Sequence, residues 1–162
     1  MGTDLLKDKK VLLVDDEVDV LETLEELLSM CHVVKASSFD EAKKSLENQV
    51  FDMVILDIMG VGGYRLLDLA TKREVLPVML TAHALSPEDT VKSFKKGAAS
   101  FVPKDKMEDI ATYLADILEA KEKGKSSWWR WLERFASYYD KKFGPNWRGG
   151  DEELWRNLGP WE

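Results

Sequence analysis

Residues 1–124 alternate between two hydrophobic rhythms. Short apolar runs at residues 11–14, 32–36, 53–56, 76–80 and 100–102 read as buried strands. Between them, apolar residues recur at helical steps of three and four. Val20, Leu21, Leu24, Leu27, Leu28 and Cys31 form one such stripe, Leu66, Leu67, Leu69 and Ala70 another, and Ile110, Leu114, Ile117 and Leu118 a third. Two further helices are marked by their ends. Ser38 followed by Glu41 is a capping box, while Ser86 and Pro87 supply an N-cap and a first-turn proline to a helix that Gly97 closes. Five strands and five helices in strict alternation predict an α/β fold. Strands this apolar are covered on both faces, which implies a parallel sheet between two helical layers. Right-handed crossovers favour the flavodoxin-like (βα)5 three-layer sandwich with strand order 2-1-3-4-5.

The pattern changes after Gly124. All six tryptophans lie beyond it, at 128, 129, 131, 147, 155 and 161. Trp128, Trp131, Leu132, Phe135, Tyr138, Tyr139 and Phe143 share one helical stripe, and Pro145, Gly149, Gly150, Gly159 and Pro160 break the remainder into short pieces. The chain therefore divides into residues 1–124 and an aromatic-rich helical C-terminal extension, 125–162. Three readings of the stripe stand side by side: packing on the chain's own helices, homodimerisation, and an interfacial membrane helix. The first is preferred, and the tail's near-neutral charge disfavours the third.

Charge adds one restriction. Residues 1–124 carry 16 basic and 24 acidic side chains, a net of −8, against +1 for the rest of the 162-residue chain. A domain this acidic is repelled by phosphate backbones, so no nucleic-acid partner is expected. The polar N-terminus, the absence of a long apolar run and the single cysteine, Cys31, fit a cytoplasmic location. Lys7, Lys9 and Lys10 read as a solvated lead-in, and Cys31 as a buried inert thiol closing the first helical stripe.

In a parallel sheet, ligands collect beyond the carboxyl ends of the strands. There the sequence places Asp15, Asp16 and Glu17 after strand one, Asp57 after strand three, Thr81 and Ala82 after strand four, and Lys104 after strand five. Carboxylates gathered at one rim need a cation, raised pKa values or separation, and oxygen-only ligands with room for water suit Mg²⁺. Asp57 could act as nucleophile toward a phosphoryl group, with Lys104 and the Thr81 hydroxyl contacting the phosphoryl oxygens. The bland alternative is that Asp15 and Asp16 only cap a helix.

Four ordered pieces carry a resemblance: Val11 to Glu17 (VLLVDDE), Val54 to Met59 (VILDIM), Leu80 to Ala82 (LTA) and Gly97 to Lys104 (GAASFVPK). Together, over residues 9–120, they resemble the CheY-like receiver domains of response regulators in bacterial two-component signalling. The resemblance implies Asp57 as phosphoacceptor, charged by a sensor histidine kinase or phosphotransfer protein. It implies a Mg²⁺ site of Asp15, Asp16, Asp57 and the Met59 carbonyl, and phosphoryl contacts from Thr81, Ala82 and Lys104. It also implies a switch pair, Thr81 and Phe101, whose ring turns inward and reshapes the face of the fourth helix, fifth strand and fifth helix toward an unidentified protein target. Such a protein catalyses only its own phosphorylation and dephosphorylation and is not a turnover enzyme.

Three features depart from the pattern. Asp105 follows Lys104 where the family usually has proline, so a differently built loop and a less secure Lys104 are expected. Gly60, Val61, Gly62 and Gly63 replace a loop that commonly carries proline, which predicts greater mobility. Met59 and His83 occupy positions that in the family influence hydrolysis, and an apolar Met59 hints at a longer-lived phosphoryl group. Two other functions remain open: an unphosphorylated interaction scaffold acting through the tail, and an aspartyl-phosphate hydrolase of the haloacid dehalogenase type. The latter resembles Asp-x-Asp after its first strand, unlike the adjacent acids here.

Overall fold

The computed structural model describes residues 2–82, 85–149 and 152–158; His83 and Trp161 lie outside them. Five parallel strands, β1 (Lys10–Val14), β2 (His32–Ala36), β3 (Met53–Asp57), β4 (Leu76–Thr81) and β5 (Ser100–Pro103), form one sheet in the order β2-β1-β3-β4-β5. The crossovers are α1 (Val18–Leu27), α2 (Phe39–Asn48), α3 (Gly63–Lys72) and α4 (Pro87–Lys95), and α5 (Ile110–Lys123) follows β5. This is the flavodoxin-like arrangement. Helix α1 lies beside α5, and α2 beside α3. The central strands are buried after their first residue, and β3 along its whole length, which is why they read as continuous apolar runs.

The sequence signals act as their chemistry requires. Ser38 Oγ accepts from the Glu41 amide at 3.2 Å, and Ser86 Oγ from the Asp89 amide at 3.0 Å. The capping box is offset by one residue: Glu41 accepts from the Ser37 amide at 2.7 Å and from the Ser37 hydroxyl at 2.9 Å. Gly97 ends α4 at φ +101°.

Two expectations change. Helix α1 stops at Leu27, so Cys31 lies past the helix; its half-buried thiol reaches the Leu6 carbonyl at 3.5 Å. Burial raises its pKa, as befits an unreactive thiol. The N-terminal lead-in is also structural. Residues Gly2–Leu6 form a 3-10 turn that packs on α5, with Leu6 fully buried, and Lys10 opens β1. One leucine pair has no period to reveal it.

The C-terminal extension forms α6 (Ser127–Phe143) and α7 (Glu152–Arg156). Trp128, Trp131, Leu132, Phe135 and Tyr139 are buried in the same continuous core as the strands. Helix α6 lies against α4, β5 and α5. Trp128 stacks on Phe94 of α4 at 4.5 Å, and Phe135 meets Tyr113 of α5 at 5.0 Å. Trp147 and Trp155 fold back onto Trp131. The dimer and membrane readings both assumed an exposed stripe; the chain covers the stripe with its own helices. Among the described residues no helix is long and apolar enough to cross a membrane.

Candidate functional site

Sheet register builds the rim. Val14 of β1 pairs with Leu56 of β3, which sets Asp15 level with Asp57; Asp57 pairs with Leu80 of β4, and Thr81 with Pro103 of β5, which sets Lys104 one step beyond. Asp15, Asp57 and Thr81 are buried, and Asp16 and Glu17 are exposed.

The Lys104 ammonium joins the cluster. It lies 2.9 Å from Glu17 Oε1, 3.0 Å from Asp15 Oδ2 and 3.6 Å from Asp57 Oδ1, with only 12% of its side chain exposed. Lys104 is therefore held firmly, contrary to the expectation drawn from Asp105. The loop is indeed built differently: no peptide bond among the described residues is cis, and Lys104–Asp109 coils directly into a 3-10 turn. Sequence reasoning set Glu17 at the rim but gave it no role. Its adjacency to Asp15 and Asp16 was visible, but its pairing across 87 positions with Lys104 was not.

Burial raises the pKa of Asp57 to about 6; Asp15 and Asp16 add to the rise and Lys104 opposes it. Burial likewise raises Asp15, against the Glu17 amide that donates to its Oδ1 at 2.9 Å and against Lys104. Lys104 is held above the ordinary lysine range: burial works against its charge, and hydrogen bonds to Glu17 and Asp15 prevail.

The donor set fits a hard divalent cation. Asp15, Asp16 and Glu17 each offer a carboxylate oxygen within 4.8 Å of the others. Asp15 Oδ2 is fully buried, and its charged neighbour is the Lys104 ammonium 3.0 Å away, which leaves lone pairs of that carboxylate for a cation.

The glycines of the loop after β3 make close contact with the site. A Cβ at Gly60 (φ +86°) would lie 2.5 Å from Asp16 Oδ2, and one at Gly63 would lie 2.3 Å from the Asp57 carbonyl oxygen. Met59 is 56% exposed. Thr81 is 1% exposed at the end of β4, and Ala82 is exposed beside it. The Phe101 ring is already fully buried.

Residues 11–115 match the family model described as the response regulator receiver domain. A probable transcriptional regulator, ycf27, of Guillardia theta is 34% identical over 108 residues, covering 64% of this chain and 42% of that protein. The two-component response regulator ARR18 of Arabidopsis thaliana is 34% identical over 104 residues, covering 59% of this chain and 16% of that protein. The chain thus spans less than half the length of either relative. The BeF3-activated receiver domain of DrrB, from Thermotoga maritima, superposes with a TM-score of 0.61 at 24% identity over 69% of this chain and 98% of that one, a likeness of fold. Plant and algal relatives mean that the likeness does not fix a bacterial source. Relatives named as transcriptional regulators give no support to the expected absence of a nucleic-acid partner.

Proposed function

The chain belongs to the response regulator receiver family, and we propose that it accepts a phosphoryl group on Asp57 from a sensor histidine kinase or phosphotransfer protein and signals by protein–protein contact. The observation that carries this reading is the largely covered ammonium of Lys104, shared by Asp15 and Asp57 at the carboxyl rim of the sheet. In the transfer, an Asp57 carboxylate oxygen forms a bond to phosphorus while the bond from phosphorus to the donor's leaving atom breaks, and the electron pair departs with the donor. A pKa near 6 leaves Asp57 ionised at neutral pH yet more nucleophilic than an ordinary carboxylate. Lys104 neutralises oxygens of the transferred group, and Thr81 and the Ala82 amide lie at the rim to hydrogen-bond them.

Asp15, Asp16, Asp57 and the Met59 carbonyl are the residues that would hold Mg²⁺, with Glu17 at hand. Bound there, the ion neutralises the carboxylates and the incoming phosphoryl charge. The protein modifies itself and is no turnover enzyme. Incubation with acetyl phosphate and Mg²⁺, followed by intact-mass measurement, tests the reading. One phosphoryl group should be gained, and none in Asp57→Asn or in EDTA. No gain in the wild type would leave the scaffold reading, and repeated turnover of external phosphoesters would leave the hydrolase reading.

A further inference from the structure

Lys104 is flanked on both sides by groups that the C-terminal helix holds. On the strand side, the Trp131 indole N–H donates to the Phe101 carbonyl at 2.7 Å in a buried contact. On the turn side, the Tyr138 hydroxyl donates to both oxygens of Asp105, at 3.1 and 3.0 Å. Trp131 and Tyr138 are seven residues apart, about two turns along the same face of α6. Just before β5 the contacts continue: Trp128 Nε1 donates to the Ala98 carbonyl at 2.7 Å and Ser127 Oγ to the Ala99 carbonyl at 2.6 Å. Because β5 is an edge strand, its outer side, where the Phe101 carbonyl meets Trp131, has no neighbouring strand among the described residues. Helix α6 takes that place and runs on past the strand's end to Asp105.

We propose that Trp131 and Tyr138 are positioning residues for phosphoryl transfer: α6 splints residues 101–105 and so fixes where the Lys104 ammonium stands among Asp15, Glu17 and Asp57. The proposal rests on Asp57 being the phosphoacceptor. A lysine has a long flexible side chain, so the reach of its ammonium depends on how firmly its backbone is held. Here Asp105, standing where proline is usual, gains its restraint from Tyr138. Displacements of an ångström or less at a reacting group are costly, which makes remote support of this kind consequential. The coupling is reciprocal: if the tail sets the site, loading the site must be felt by the tail. All six tryptophans lie in residues 125–162, so intrinsic tryptophan emission reports on the tail alone.

The test uses the full chain. Tyr138→Phe removes one oxygen and keeps the ring. Its labelling by acetyl phosphate and Mg²⁺ should be ~3- to 10-fold slower than wild type, less than the full worth of a hydrogen bond to a charged group because this one is exposed, with an unchanged far-UV spectrum. The exposed Asp105→Asn should lose a similar factor, and the double variant no more than either single. Beryllium fluoride with Mg²⁺ should shift the tryptophan emission of wild type and leave that of Asp57→Asn unmoved. If wild type labels at Asp57 while Tyr138→Phe labels equally fast, or if the losses multiply, or if emission ignores loading, the positioning role is wrong and the phosphoacceptor reading survives. If wild type does not label at all, both fall.

Discussion

Asp57 is a buried carboxylate whose ionisation costs the fold something when no divalent cation is present. Its pKa is about 6 in the folded protein, against roughly 3.9 in an unfolded chain. Between those values the folded state holds the proton more tightly. The group's contribution to stability is therefore fullest below the unfolded pKa and is lost as pH rises through 6. Asp57→Asn cannot ionise and escapes that loss. In EDTA, the variant should gain on wild type as pH goes from 5 to 8, by on the order of 1–3 kcal/mol at the upper end. Urea melts at both pH values measure the gap; a gap that stays constant or narrows would contradict the burial-driven shift. Millimolar Mg²⁺ should erase it by stabilising wild type alone.

At the scale of elements, the loop from β3 into α3 shows what the sequence disclosed and what it hid. The apolar runs and the capping serines made the strands and helices legible, because burial on both faces and orphan amides leave a periodic or positional mark. The rim residues were legible for the same reason: a parallel sheet of known order sends every strand's next residue to one edge. The glycines after Asp57 carried only the message of a permissive backbone, and mobility was the natural inference. What they supply is clearance, since Gly63 lies where a side chain would strike the Asp57 carbonyl. A close approach between two backbones has no sequence period, and neither does the salt bridge between Glu17 and Lys104. Gly63→Ala should therefore destabilise the protein by about 1–3 kcal/mol, despite alanine's better helix propensity, because backbone atoms must move. It should also slow labelling of Asp57. A melting temperature equal to or above wild type would show that the helix start can retreat without cost.

Across the whole molecule, the aromatic stripe decides whether the chain is a receiver with an appendage or one cooperative unit. The stripe's helical spacing was evident from the sequence and its own chain was the preferred partner, but the spacing alone did not fix it, since an apolar face can also be covered by a copy or a lipid surface. The contacts on β5, α4 and α5 join the tail to the receiver core. The buried Tyr139–Thr90 hydrogen bond at 2.6 Å and the bidentate Arg134–Asp116 ion pair add polar contacts that loose hydrophobic adhesion would lack. Thr90 donates its own proton to the Ser86 carbonyl at 2.7 Å, so Tyr139 is the donor between them. Receiver and tail should then unfold together. Tail tryptophan emission and far-UV ellipticity, which sums over all helices, should give superimposable melts. Trp131 sits at the centre, touching Trp128, Phe135, Tyr139, Trp147 and Trp155. Trp131→Ala should lower both transitions together by about 3–5 kcal/mol, the cost of emptying a buried indole's place. Were emission to melt well before ellipticity in either protein, α6 would be a detachable element, and a tail that detaches cheaply could not hold Lys104 in place.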